Sequence, residues 1–548
     1  MGYDGPTQVL PNRTSADTGR GMSIKSLVVD GKQPNILLVV TDQQRALGAW
    51  AQEDRATLEA VQPATQRLRA NGVSFTHMFT AACMCTPSRG SLMTGAYPAQ
   101  TGITNTVRHP GSPTESSQVI GNFTALLTNL PTPYQCHWMG KWHLPGAPTD
   151  FGFQSWNPPE AGNSLHINET LGGRPKAAAS HDASAHRPGG PAYNDLRYID
   201  DAVAFLSEPR REDPWCLVVS LVNPHDVHVG REGWLQPDNT LTAERDGGYD
   251  SGFVGDDLHA TSVSVPSMEG EEPEGKPRAQ SLYQWEQFNN GQRSKQDFVN
   301  FYAHLHSLVD EGLRRMLEAV TEDGTLSGAL PDDLLIVRMA DHGELGLSHN
   351  MVEKFCNAYD EALRIPLIFT NQATWSRPVT TSALASSVDL LPTFRALFRP
   401  EESSTPSPSA PGHSLLPFID HPRLPGRHGV HFTYDDEGAA DTPSVIRAIR
   451  TREHLYAVYI STDQTQPADW ELYDLSSTPY QGVNVAGLPE YSQVQAELDE
   501  QLQIQMRRAG TNRLFTSQGD SLEGRGLVPI AWPPVHRPGT SRGGPAAG

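Results

Sequence analysis

The sequence predicts an α/β fold, a large mixed but mostly parallel sheet flanked by helices with a smaller C-terminal unit after it, and three observations carry that expectation. Short β-rich apolar runs alternate with helical or loop segments between residues 35 and 369. Most of these runs end abruptly in polar residues, as in a doubly wound sheet that builds a site along the carboxyl ends of its strands. Beyond the Pro/Ser stretch Glu401–Pro411, which reads as a surface linker, the chain turns to the strand-like runs Gly429–Tyr434 and Val445–Ile460.

Composition removes several function classes. The 548-residue chain has a net charge of −21 and no basic block, which argues for solubility and against a nucleic-acid partner. Its five cysteines, at 83, 85, 136, 216 and 356, are too sparse and uneven for a secreted disulfide framework. Met1–Asp30 is polar, without a basic segment followed by an apolar one. The longest apolar run near the start, Ile36–Val40, is far shorter than the roughly 20 residues of a membrane span. The expectation is a cytoplasmic protein with no membrane partner, in which the sequons at Asn12, Asn122 and Asn168 carry no weight.

Taken in order, Asn35–Thr41 reads as a strand buried on both faces, delivering Asp42 and Gln43 at its carboxyl end. Pro63–Ala70 reads as a helix stopped at Asn71-Gly72, and Val73–Thr76 as a strand. Tyr134–Met139 is a candidate strand running into Gly140-Lys141-Trp142-His143, where Lys141 and His143, two residues apart, are placed to face one side. Trp215–Val222 is another, ending in Asn223-Pro224-His225-Asp226. Residues 158–193 and 230–294 look like two long surface insertions. The clearest helix is Asp297–Val320, with apolar residues at three- and four-residue spacing. The strand Leu334–Ala340 then delivers Asp341-His342, and Ile365–Phe369 follows Lys354.

The stretch Cys83-Met84-Cys85-Thr86-Pro87-Ser88-Arg89 is the one the rest serves. Pro87 favours a helical first turn, so Cys85 is expected just outside a helix N-terminus, where free N–H groups favour an anion, with Arg89 one turn on. By itself such a cysteine is open to three readings: a low-pKa thiol, half of a disulfide, or a buried structural residue. Asp42 and Asp341-His342, hard oxygen and imidazole donors at the ends of two strands, offer a divalent metal site, although an Asp after a strand is also a common helix cap.

CTPSR followed by Leu92, Thr94 and Gly95 resembles the signature of the type I sulfatases of the alkaline phosphatase superfamily, whose first cysteine is oxidised enzymatically to formylglycine. The resemblance implies a catalytic domain over 34–425, preceded by an extension, 1–33. It also implies a small antiparallel sheet carrying a helix over 426–515, with Trp470–Leu475 in the sheet and Tyr491–Met506 as the helix; 516–548 would be a tail. It further implies one divalent cation held by Asp42, Gln43, Cys85, Asp341 and His342. Ca²⁺ is the usual family cation, and the imidazole keeps Mg²⁺ and Mn²⁺ open. The pairing Asp-Gln with Asp-His is similar to the branch containing phosphonate monoester hydrolases and choline sulfatases.

Carried over residue by residue, the resemblance makes Cys85, Arg89, His143 and His225 catalytic and Lys141 and Lys354 substrate-binding. Against this, an isolated His225 would by default be a core histidine and Lys354 a surface lysine. Cys83 reads as structural or incidental, because no second cysteine pair exists to complete a zinc site, and His166, His181, His186, His228 and His349 read as loop residues. The implied function is hydrolysis of a small-molecule sulfate monoester, with a formylglycine-generating maturation enzyme as a partner. The rivals are a phosphonate or phosphate ester hydrolase on the same scaffold, or a noncatalytic binding protein if Cys85 stays a thiol.

Overall fold

The computed structural model describes residues 23–106, 121–156, 194–209, 211–227, 261–268, 270–289, 294–402, 411–436, 442–478, 480–515 and 527–534. The apolar runs assemble into an eight-stranded sheet in the order Val379–Thr381, Gly72–Phe75, Leu367–Thr370, Leu334–Ala340, Asn35–Asp42, Trp215–Pro224, Gln135–Gly140, Ser155–Trp156. Neighbours run parallel except where Leu367–Thr370 opposes the strands on either side of it. In the centre Leu37 sits opposite both Leu217 and Ile336. Ile36, Leu38 and Val40 enter one apolar cluster while Leu37 and Val39 enter another, so both faces are covered and the run shows no polar alternation.

Parallel strands must return through crossovers, and helices Pro63–Ala70 and Lys295–Val320 pack together on one face. The long helix starts two residues before its expected position because the Ser294 hydroxyl accepts the Asp297 N–H at 3.0 Å as its N-cap. Ile365–Phe369 is two strands, not one. Pro366 has no N–H to donate, and the chain changes sheets there, Arg364–Ile365 pairing with Met78–Phe79.

Gly429–Tyr434, Val445–Thr451, His454–Ile460 and Asp469–Asp474 form a four-stranded antiparallel sheet in chain order. Helix Ser492–Ala509 lays Leu498, Leu502 and Met506 on Tyr456, Val458 and Leu472 of that sheet. Within the expected tail, Leu527–Pro529 pairs with Arg513–Phe515, and the Trp532 indole donates to Asp499 at 3.1 Å.

The expected insertion 158–193 lies outside the described residues, as does most of the linker 401–411. The second expected insertion is different. Its described parts, 261–268 and 270–289, are built into the body, burying Val263, Ala279 and Trp285. The Gln280 amide there donates to Tyr459 and Glu471 at 3.1 Å each. Its Gly/Pro/acid composition hid this, since its partners are about 180 residues away in sequence. Among the described residues, no helix is long and apolar enough to cross a membrane.

Candidate active site

Four adjacent parallel strands, Leu334–Ala340, Asn35–Asp42, Trp215–Pro224 and Gln135–Gly140, point the same way and release Asp341, Asp42, His225 and Lys141 at one edge. Gly140 permits the last exit. It has φ +99°, and a Cβ there would lie 2.0 Å from the Ser220 carbonyl oxygen. The strand ends at this kink, so Lys141 and His143 do not alternate along it as expected. The Lys141 N–H donates to the Ser220 carbonyl at 2.8 Å, and His143 takes φ +53°.

Facing these ends is the helix Cys85–Thr94, closed by Gly95 at φ +69°. It begins at Cys85 itself, not after it, with Met84 as N-cap. Local bonds fix it against the sheet edge: the Ser88 hydroxyl donates to the Asp341 carbonyl at 2.6 Å, and Thr86 to the His143 carbonyl at 2.8 Å. Cys85 Sγ lies 3.1 Å from His342 Nε2 and 3.6 Å from Asp42 Oδ1.

Arg89 is buried across this cluster. Its guanidinium donates to Asp42 Oδ2 at 3.0 Å, to the Lys141 carbonyl at 2.9 Å and to the Ser220 hydroxyl at 2.8 Å, and Nε lies 3.0 Å from Asp341 Oδ2. A buried guanidinium without such acids would cost several kcal/mol, so Arg89 ties the two aspartates together. Lys141 Nζ lies 2.7 Å from Asp42 Oδ2.

The electrostatics follow from this crowding. Burial works against the Asp42 charge, yet Lys141, His225, Arg89 and His342 hold its carboxyl well below the usual range. Burial and the Asp42 charge push Asp341 up to about 6 against the pull of His342 and Arg89. For His342, burial opposes the proton but Asp341, Cys85 and Asp42 outweigh it, raising the imidazole to about 9. Burial and Asp42 also oppose the Cys85 thiolate, and Lys141, Lys354 and His342 still bring it down to about 7. The thiol is in a position to be an anion.

Donor atoms of Asp42, Cys85, Asp341 and His342 all lie within 4.8 Å of one another, and all four residues are buried. Two carboxylates and one imidazole so close fit a divalent cation by donor chemistry, and Asp341 Oδ2 has no aligned hydrogen-bond donor. Gln43 stands beside this group but is engaged elsewhere. Its Oε1 accepts from Lys354 Nζ at 2.6 Å, and its amide donates to Glu344 and Glu353.

Lys354 is buried rather than superficial, and its Nζ also donates to Glu353 at 3.0 Å. Burial opposes its charge, but Glu353, Cys85 and Asp42 raise its pKa. Cys83 is structural: its thiol donates to the Lys354 carbonyl at 3.0 Å, and burial pushes its pKa well up. His225 is buried, and Nδ1 lies 3.5 Å from Asp226. His349 lies in the short turn Ser348–Asn350. It is buried, stacks on Tyr359 at 3.6 Å between centroids and pairs with Glu271 at 2.8 Å.

Sequence reasoning missed three supports of the site. Asp195 accepts the N–H groups of Val222 and Asn223 at 2.8 and 2.9 Å, steadying the chain before His225. Ser220 and Glu344 are the other two. A lone serine within an apolar run and a carboxylate three residues after Asp341 were the available signals; Asp195 had none.

Residues 34–399 match the family model described as sulfatase, 366 of the chain's 548 residues (399 − 34 + 1). The chain belongs to the sulfatase family. Residues 348–508 of this sulfatase also match the C-terminal model described as N-sulphoglucosamine sulphohydrolase. It is 24% identical to an ulvan-active sulfatase of Formosa agariphila, over 87% of this chain and 82% of the other. It is likewise 24% identical to a Δ4,5-hexuronate-2-O-sulfatase of Bacteroides thetaiotaomicron, over 85% and 87%. In fold, the sulfatase resembles a solved protein in complex with its substrate D-glucosamine-2-N,6-O-disulfate, with TM-score 0.65, 20% identity and coverage of 88% and 99%. A phosphonate monoester hydrolase of Agrobacterium radiobacter has the same fold at TM-score 0.61, 17% identity and coverage of 91% and 100%. This sulfatase is by family an enzyme that hydrolyses sulfuric esters.

Proposed function

We propose that the chain hydrolyses a small-molecule sulfate monoester with residue 85 as the nucleophile after its oxidation to formylglycine. One observation carries this reading: Cys85 opens a buried helix at the point where Asp42, Asp341 and His342 converge, with Arg89, Lys141 and Lys354 around it. As a hydrated aldehyde, residue 85 would supply a hydroxyl whose oxygen bonds to sulfur as its proton passes to the neighbouring Asp42 carboxylate. A divalent cation held by Asp42, Asp341 and His342, with Gln43 adjoining, would supply charge neutralisation.

The remaining work falls to groups already in place. Lys141 and Lys354 bind the anionic oxygens and the charge that develops on them. Arg89, already spread over Asp42 and Asp341, holds those acids in register beside residue 85. His225 gives a proton to the departing alcohol as its bond to sulfur breaks. His143 takes the proton of the second hydroxyl on residue 85, so that sulfate leaves and the aldehyde is restored. The Lys141 and His143 pair favours sulfate over phosphonate, although the phosphonate hydrolase shares the fold.

Mass analysis of the peptide bearing Cys85, from protein produced with a maturation enzyme, should find the aldehyde or its hydrate. A panel of sulfate, phosphate and phosphonate esters with one leaving group should give the highest kcat/KM on sulfate. A fully active protein with an alkylatable thiol at Cys85 overturns the nucleophile, and a preference for phosphonate monoesters overturns the substrate.

A further inference from the structure

Beneath Lys354 lies a set of buried polar groups, Glu344, Glu353 and Gln43, to which the proposed mechanism gives no step of its own. Glu344 is fully buried, and its Oε1 accepts two backbone N–H groups, from Gly346 at 3.0 Å and Glu353 at 2.8 Å. These bonds, with Leu345 N–H to the Glu353 carbonyl at 2.8 Å and Leu347 N–H to Met351 at 2.9 Å, close a hairpin over residues 345–353. Its other oxygen accepts the side-chain amide of Gln43. Glu353 shares that amide at 3.3 Å.

Gln43 Oε1 and Glu353 Oε2 are in turn the two acceptors of Lys354 Nζ, at 2.6 and 3.0 Å. Each acceptor of the ammonium is therefore fixed by Glu344, one through the side chain of Gln43 and one through the backbone of Glu353. The chemistry also accounts for an amide at position 43. That side chain must accept from an ammonium and donate to a carboxylate, and a carboxylate there would face Glu344 and Glu353 with no donor of its own. Uncompensated buried charge of that kind is strongly destabilising.

We propose that Glu344 is a positioning residue: by closing the 345–353 hairpin and orienting the Gln43 amide, it sets where Lys354 presents its ammonium to the sulfuryl oxygens of the substrate. The inference rests on the reading of Lys354 as an anchor of that group. Removing a partner that orients a metal ligand typically costs about 10- to 100-fold in affinity or activity, and the same order is expected for the partners that orient Lys354.

The test uses full-length, matured protein and reads KM for nitrophenyl sulfate and inhibition by inorganic sulfate in Glu344→Ala, Glu344→Gln, Lys354→Ala and the double variants. Glu344→Ala should weaken sulfate inhibition by about 10- to 100-fold. Glu344→Gln retains an acceptor for the hairpin but offers an amide to an amide at Gln43, so it should weaken inhibition too, and it serves if the alanine variant does not fold. In the Lys354→Ala background either change should add nothing. Unchanged KM and sulfate inhibition in Glu344→Gln, or an equal loss with and without Lys354, overturns the inference. If Lys354→Ala itself leaves sulfate inhibition unchanged, the anchoring role of Lys354 falls, a separate result from a failure of Glu344.

Discussion

Two regions of this molecule bury charge, and they do so in opposite ways. At the strand ends, Arg89 Nε, Lys141 Nζ and Asp341 Oδ2 lie within ion-pair distance of partners but have no aligned hydrogen bond. Where 270–289 meets the C-terminal sheet, Glu471 has every oxygen occupied: one accepts Tyr459, the other Tyr473 at 2.9 Å and Gln280 at 3.1 Å. Tyr359 joins the same network through Gln280 at 2.8 Å and Tyr473 at 3.1 Å. A satisfied network holds a fold together, while groups left short of partners keep their capacity for a ligand.

The comparison predicts that the two regions respond differently to substitution. The largest effect is expected at Asp341→Asn, which should cut kcat/KM by about 10²- to 10³-fold or more in the protein that remains folded, and chelation should mimic it reversibly. Normal kcat/KM in folded Asp341→Asn protein would erase the distinction. His225→Ala should come next, slowing alkyl sulfates by about 10²-fold, at the low end of general acid catalysis, and nitrophenyl sulfate much less, because only the poorer leaving group needs the proton. Equal slowing of both, with product release not limiting, would reduce His225 to a binding group.

On the other side, Tyr473→Phe removes a hydroxyl bonded to Glu471 and Tyr359 and should cost about 1–2 kcal/mol in denaturant unfolding with kcat/KM unchanged. The smallest effect is in pH dependence. Burial opposes the proton on His349, but its hydrogen bond to Glu271 and the Glu361 carboxylate 3.8 Å from Nε2 raise its pKa above the ordinary value. A raised folded pKa gives stability that is full below about 6.5 and is lost as pH rises through the folded value. His349→Gln should flatten that slope, and an unchanged slope would show that the pair contributes nothing to folding.

What was legible in the sequence divides along the same line. Pro63–Ala70, Leu334–Ala340 and Gly429–Tyr434 fall where local pattern places them, because period, Pro and Gly act within a few residues. Asp42, Asp341 and His342 were visible as polar ends of apolar runs, and their meeting at Cys85 follows from parallel strands sharing a direction. The kink at Gly140 was not legible, since it depends on the Ser220 carbonyl of a neighbouring strand. Nor was the burial of His349 or of 261–268 and 270–289, whose partners, such as Glu471 for Gln280, are 191 residues away.

The burial of the helix Cys85–Thr94 has a consequence for the proposed maturation of residue 85. Every residue from Cys85 to Thr94 is buried, so a second protein has no purchase on the motif once the sheet and helix have closed over it. An enzyme that recognises cysteine, proline and arginine by their side chains needs them extended and accessible. On the proposed reading, oxidation of Cys85 would therefore belong to the interval before the chain completes folding, and a molecule that folded first would keep its thiol.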